Sequence, residues 1–300
     1  MNKEVAAPTI LDGKKLALTI KQELKVKTAA HVAAGFRAPH LSAILVGNDG
    51  ASETYVNAKV KDCEDIGFES SKFVFDDAIT EAALLKEVEK LNNDESVDGF
   101  IVQLPLPKHI NNQKILSAIK PEKDVDGFHP TNFGRMALGL PAYLPATPFG
   151  VLELIKRYDI PTKGKHCVVV GRSKIVGSPV SILMANPNYP GDATVTLTHR
   201  HSRDLKKHTL QADILIVAVG KPGLISSDMV KEDVVIIDVG TTRVPDASKK
   251  SGFALKGDVI FDEVSEKASY ITPVPGGVGP MTRAGLLMNT WLAAKKEIYG

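Results

Sequence analysis

Tyr55 and Lys59 stand four residues apart in Tyr55-Val-Asn-Ala-Lys59, beside apolar positions Val56, Val60 and Cys63 at helical spacing. Side chains four apart share a helix face, and the apolar stripe next to them would pack on a sheet. Both residues therefore border the core face, where a cleft would lie. A lysine flanked by aromatic and apolar groups loses hydration, its pKa falls, and its neutral amine can take a proton. A surface lysine beside a half-buried tyrosine would show the same spacing. Gln103 closes the apolar run Gly99–Gln103, at the carboxyl end of a strand, where open α/β sheets place their ligands. Asp126 follows in the turn-rich Lys123-Asp-Val-Asp-Gly127. Taken singly, these two read equally as a strand-terminus residue and a turn former.

A second set of residues suits an anion. His166-Cys-Val-Val-Val170 reads as a buried parallel strand and runs directly into Gly171-Arg-Ser-Lys-Ile-Val-Gly-Ser-Pro179. Glycines let the backbone approach a ligand, and the next apolar stretch reads as a helix whose first N–H groups suit a pyrophosphate. The spacing is not the usual G-x-G-x-x-G, so the case for a dinucleotide rests on the loop's place between strand and helix. An acid ending the second strand would mark NAD, but Thr196-Leu-Thr-His-Arg-His201 has none. Arg200, with Arg172 in the glycine loop, favours an anion such as the 2′-phosphate of NADP. Solvated surface arginines are the other reading. Thr272-Pro-Val-Pro-Gly-Gly-Val-Gly-Pro-Met-Thr282 compresses three prolines and three glycines into eleven residues. Such a backbone is rigid and has little side-chain bulk, which suits close approach to a ligand.

The elements that would carry these residues alternate between strand and helix, which predicts α/β architecture with largely parallel sheets. Helices are expected at 13–34, 52–66, 81–92 and 112–119, with strands at 41–46, 72–75 and 99–103. Leu104-Pro-Leu-Pro107 stops the last of these, since proline cannot donate to the ladder. A boundary is expected near Leu144-Pro-Ala-Thr-Pro148, before a helix at 149–158. The later block has expected strands at 166–170, 193–198, 214–219, 234–239 and 258–260, an order like half of a dinucleotide-binding fold. A final helix is expected over 282–298.

Composition narrows the function classes. A chain of 300 residues, 43% hydrophobic and 24% charged, resembles an ordinary globular protein with room for two domains. A net charge of +2 gives no reason to expect nucleic acid or a membrane as partner. No stretch approaches the ~20 apolar residues of a membrane span. Cys63 and Cys167 lie in apolar patterns, the setting of buried thiols rather than a disulfide, metal site or nucleophile. Met-Asn-Lys-Glu-Val-Ala-Ala-Pro has neither the apolar core of a secretory signal nor the Arg-rich character of a transit peptide. The expected compartment is the cytosol, or one reached through a segment outside this sequence.

Taken in order, six motifs over about residues 9–298 resemble the bifunctional methylenetetrahydrofolate dehydrogenase/methenyltetrahydrofolate cyclohydrolase family. They are Tyr55-Val-Asn-Ala-Lys59, Val102-Gln-Leu-Pro-Leu-Pro107, Lys123-Asp-Val-Asp-Gly-Phe128, Pro145-Ala-Thr-Pro148, Gly171–Pro179 and Pro273–Thr282. The resemblance implies two α/β domains with a cleft between them. Residues 1–148 with the last helix, 281–300, would bind folate, and 149–280 would form a Rossmann-like NAD(P) domain. The implied activity oxidises 5,10-methylenetetrahydrofolate to the methenyl form and hydrolyses that to 10-formyltetrahydrofolate. Lys59 would serve as acid/base, Gln103 would orient it, Tyr55 would stack on the folate rings, and Asp126 would hydrogen-bond the pterin. Leu104, Pro275, Gly276 and Gly277 would line the folate side. Thr147, Gly171, Arg172, Ser173, Ile175, Val176, Arg200, Ala218, Gly220, Val239, Thr241 and Thr282 would line the cofactor side.

Within the family, Pro145-Ala-Thr-Pro148, Gly191-Asp-Ala-Thr-Val-Thr196 and His199-Arg200 look most like the mitochondrial, NAD-preferring branch. That branch implies NAD, a free phosphate ion held by Arg172 and Arg200, Mg²⁺, a homodimer and a mitochondrial location. The alternatives are an NADP-dependent, cytoplasmic member, a dehydrogenase of amino or hydroxy acids, or a non-catalytic folate- or nucleotide-binding protein. Two positions depart from the branch. Gly139 stands where its metal-binding aspartate would be, leaving Asp192 as an indirect contributor, and Arg283 replaces a small apolar residue.

Overall fold

A computed structural model describes residues 7–188, 190–249 and 252–299. The described chain opens with β1 (Thr9–Ile10) and α1 (Gly13–Ala33). An alternating run follows: β2 (His40–Val46), α2 (Gly50–Ile66), β3 (Glu69–Phe75), α3 (Glu81–Asn93) and β4 (Gly99–Val102). Next come α4 (Asn112–Ala118), α5 (Pro130–Ala137) and α6 (Ala146–Arg157). The later part comprises β5 (His166–Val170), α7 (Gly177–Ala185), β6 (Thr194–Thr198), α8 (Leu205–Thr209), β7 (Ile214–Val217) and β8 (Val234–Asp238). It ends with β9 (Thr242–Pro245), β10 (Phe253–Lys256), α9 (Phe261–Ser265), β11 (Ala268–Ile271) and α10 (Val278–Ala294).

The chain divides into two compact units: Leu18–Ala146 with Arg283–Gly300, and the chain up to Ala17 with Thr147–Thr282. In the first, β2 lies between β3 and β4, parallel to both. Ile44, Val46, Phe100 and Val102 of this sheet pack with Leu84, Val88 and Leu91 of α3. Those α3 residues recur at the four- and three-residue steps that form one helical stripe. α2 starts where the Asp49 carboxylate accepts the Ser52 N–H at 2.8 Å. It stops at Gly67, whose left-handed φ of 81° lets its N–H reach the last turn.

In the second unit six strands run in the order β1-β11-β8-β7-β5-β6, and every neighbouring pair is parallel. The expected parallel α/β architecture is thus present. β1 joins the chain's start to this sheet by pairing with β11. The strand expected at 258–260 is instead a single bridge between Ile225 and Val259. Its backbone is taken up otherwise: Asp258 N–H and Val259 N–H donate to the Asp238 carboxylate at 3.0 and 2.9 Å. β11 takes the sheet position in its place. The antiparallel pair β9–β10 and helix α5 were not among the expected elements. The expected helix at 149–158 begins at Ala146, with Pro148 in its first turn, where a missing N–H costs nothing. The final helix likewise begins earlier, at Val278.

Candidate functional site

Lys59 lies on α2, and its amine donates to Gln103 Oε1 at 3.0 Å. Gln103 is fixed from two sides. Its N–H donates to Ile44 O at 2.9 Å, extending the β2–β4 pairing by one residue. Its own amide donates to Leu104 O at 2.8 Å, which leaves Oε1 facing the lysine. Desolvation is the largest influence on Lys59 and holds its amine below the usual lysine range. The Arg283 charge pushes the same way, and the Asp126 carboxylate opposes both. Burial pushes Asp126 above the usual carboxylate range, with Lys59 pulling it down. Lys59, Gln103, Leu104 and Asp126 therefore form one cluster around a lysine whose burial favours its neutral form. Tyr55 sits one turn before Lys59 with 43% of its surface exposed, leaving its ring free to meet a planar ligand.

Asp126 is held by residues that the sequence reading passed over. Its neighbour Asp124 is buried and accepts N–H groups from Phe128 at 3.2 Å and His129 at 2.8 Å, and the Asn132 amide at 2.9 Å. Desolvation pushes the Asp124 carboxyl up to about 7, while those three donors pull the other way. From α10, the Asn289 amide donates to Val125 O and Leu144 O, both at 2.8 Å. All three Asp124 partners are donors, one on Oδ1 and two on Oδ2, so whichever way the amide of Asp124→Asn turns its NH₂ faces at least one of them. The expected cost is ~2–3 kcal/mol, the penalty of an unmade buried hydrogen bond. Urea denaturation measures it, and an unchanged midpoint would refute this anchoring role.

In the second unit, Gly171, Arg172, Ser173, His199, Arg200, Ala218 and Val219 line a cavity of 370 Å³. Gly171 has a φ of 115°, in the left-handed region that glycine tolerates. A Cβ on Gly177 would collide with Gly171 O and sit 3.0 Å from Arg172 N, so the turn closes only on glycine. Ser173 Oγ accepts the N–H groups of Val176 at 3.1 Å and Gly177 at 3.3 Å, capping the start of α7. This cradle fits the phosphates of a dinucleotide. The facing turn is braced by Asp258, whose Oδ2 accepts the N–H groups of Val219 at 2.7 Å and Gly220 at 2.9 Å. Of this acid and its neighbour Asp238, only Asp238 has a local signal in the sequence, as the acid closing the apolar Val234–Asp238 run.

The remaining candidates take varied places. Ile175 is exposed and Val176 half-buried at the turn into α7, and Val239 and Thr241 follow β8. Thr147 and Thr282 share a hydroxyl hydrogen bond at 2.9 Å. Pro275, Gly276 and Gly277 form the loop after β11, where Gly276 O accepts Lys14 N–H at 2.8 Å.

The structure gives no support to Asp192 as an indirect contributor to a metal. Asp192 precedes β6 and Arg200 follows it, so about 16 Å of strand separates Asp192 from the arginine pocket. Gly139 has a φ of 70° and terminates α5, its N–H bonded to Met136 O at 3.1 Å, a position that favours glycine over aspartate. Among the described residues, no group of three or more His, Cys, Asp or Glu could hold a metal ion.

Residues 11–126 match the family model of the tetrahydrofolate dehydrogenase/cyclohydrolase catalytic domain, and 145–298 match its NAD(P)-binding domain. The bifunctional protein FolD of Bacteroides thetaiotaomicron is 61% identical over 97% of this chain and 99% of its own length. The crystal structure of the Campylobacter jejuni bifunctional FolD, 49% identical, superposes with a TM-score of 0.91, covering 97% of this chain and 100% of that one. The Trypanosoma brucei dehydrogenase-cyclohydrolase, solved with NADP and an inhibitor, is 39% identical. Its TM-score is 0.92, and it covers 98% of this chain and 99% of its own. These likenesses do not support the mitochondrial, NAD-preferring branch to which the motifs pointed.

Proposed function

This chain belongs to the tetrahydrofolate dehydrogenase/cyclohydrolase family, bifunctional enzymes of folate one-carbon metabolism, and on that premise we propose that it uses NADP rather than NAD. The observation that carries this reading is the cavity shared by Arg172 and Arg200 beside the glycine cradle, with no acid among His199-Arg-His201 directly after β6 to receive a ribose hydroxyl. The NADP-bound trypanosomal relative supports it. Gly171, Ser173 and the start of α7 would hold the phosphates of the cofactor, and the two arginines its 2′-phosphate. When bound, the nicotinamide supplies the acceptor for the hydride leaving the methylene carbon of 5,10-methylenetetrahydrofolate.

The chain's own side chains then carry the hydrolytic half. Water adds to the cationic methenyl carbon, and the neutral Lys59 amine takes the proton that this water gives up. A protonated lysine beside a cationic substrate would be repelled, so the desolvation that favours the neutral form of Lys59 serves the step. Gln103 aims the amine through its 3.0 Å contact. Tyr55 offers its exposed ring to the folate, and Asp126 offers its carboxyl to the pterin's N–H groups. The C–N5 bond of the resulting carbinolamine then breaks, its hydroxyl proton passing to N5 as the carbonyl forms, and 10-formyltetrahydrofolate results. We place the protein with its bacterial relatives in the cytoplasm, working as a homodimer.

Steady-state kinetics with NADP and NAD, each with and without Mg²⁺ and inorganic phosphate, test the cofactor assignment. The expected result is a lower KM for NADP, phosphate acting only as a competitor and Mg²⁺ without effect. NAD preference activated by phosphate and Mg²⁺ would restore the branch implied by the motifs.

A further inference from the structure

Lys59 has a carboxylate one turn along its own helix and does not pair with it. Asp62 lies three residues further on α2, the spacing at which a lysine and an aspartate ordinarily meet. Both of its oxygens are engaged elsewhere. Asp62 Oδ1 accepts the Lys21 amine of α1 at 2.8 Å, and Oδ2 lies 3.1 Å from the Arg283 guanidinium of α10. Lys21 also holds Asp65 at 2.7 Å, which ties the amine to the same helix face. Only 8% of the Asp62 side chain is exposed, so water does not readily compete for it. The Lys59 amine turns instead to the uncharged oxygen of Gln103.

We propose that Arg283, together with Lys21, is a positioning residue that withholds Asp62 from Lys59 and so leaves the catalytic amine free to act as a base. This rests on the reading of Lys59 as the hydrolytic base. The charged groups facing Lys59 are few: Asp126 from the loop before α5, and Arg283 from α10. Asp126 favours the protonated amine and Arg283 the neutral one. Removing Arg283 both deletes a repelling cation and releases a carboxylate oxygen one turn away. The two effects have the same sign.

The test is the pH profile of methenyl hydrolysis in wild type, Arg283→Met, Arg283→Lys and Asp62→Asn, with thermal unfolding of each. In Arg283→Met the rising limb should move up by about one pH unit, the lower end of what a nearby opposite charge does. Arg283→Lys should restore it. In Asp62→Asn the limb should move down, because Arg283 then stands without its counter-ion and Lys21 keeps only Asp65. Opposite displacements are not produced by loosened packing, which lowers the rate equally at every pH. A limb that stays in place in Arg283→Met, or an equal loss at all pH values, overturns the proposal. Should Arg283→Met fail to fold, Asp62→Asn decides alone, and a limb that stays or rises refutes the clamp. Failure of the underlying reading looks different: Lys59→Met would then still hydrolyse substrate. An inert Lys59→Met with unmoved limbs in the other variants refutes only the clamp.

Discussion

Lys59→Met is expected to lower methenyl hydrolysis by about 10²–10⁴-fold, the range that one positioned acid/base group supplies. Methionine keeps most of the aliphatic stem and removes only the amine, so folate should still bind. The variant loses a single contact, the 3.0 Å hydrogen bond to Gln103. Gln103 is half-buried, so water can take the vacated place on Oε1 without the full penalty of an unmade buried hydrogen bond. Loss of the methenyl chromophore, followed at saturating substrate, reads the rate directly. Turnover near wild type would remove Lys59 from the mechanism.

The pH dependence of the wild-type enzyme has a definite sign. Lys59 acts as a base only when neutral, and desolvation lowers its pKa. Hydrolysis should therefore climb as pH rises through the Lys59 pKa and level off above it. That plateau should begin at lower pH than an ordinary lysine allows. In Lys59→Met the climb should vanish along with the rate, because no other described group on α2 combines desolvation with a contact to Gln103.

Local patterns carried much of this arrangement in the sequence. The four-residue step from Tyr55 to Lys59 and the strand ending at Gln103 are short-range signals, and the parallel sheet brings their ends together. The glycine loop was legible for the same reason, since it follows a strand of consecutive apolar residues. Other features depend on residues far apart in the chain. Nothing near Asp62 announces that its two oxygens belong to Lys21 and Arg283. Nothing near Val125 announces the Asn289 amide that steadies the loop carrying Asp126. The strand expected at 258–260 failed because a buried carboxylate, Asp238, took the N–H groups that a ladder would have used. Asp192 looked available to a metal by residue type alone, and its place before β6 rather than after it removes it from the arginine pocket.

Arg172 and Arg200 pose the sharpest test of cofactor choice. Each single alanine variant is expected to raise the KM for NADP about tenfold, and the double variant about a hundredfold, as befits one charge-assisted contact per residue. The KM for NAD, which lacks the extra phosphate, should hardly change. Both arginines are exposed, so salt should weaken NADP binding in wild type and much less in the double variant. Two details of the pocket bear on the size of the effect. Arg200 is steadied by His201, whose Nε2 accepts its Nε–H at 3.1 Å. Desolvation first, and the Arg172 charge after it, hold His199 below the usual histidine range, while Arg172 and Arg200 are guanidiniums that stay charged at any working pH. Lysine should not fully replace either, because a point charge lacks the planar fork that meets two phosphate oxygens at once. If both variants instead impaired NAD and NADP equally, the arginines would be holding the pyrophosphate, or a free phosphate shared by both reactions. The basic pocket would then say nothing about the ribose. A loss confined to NADP ties the pocket to the 2′-phosphate, and with it the choice that residue motifs alone had assigned the other way.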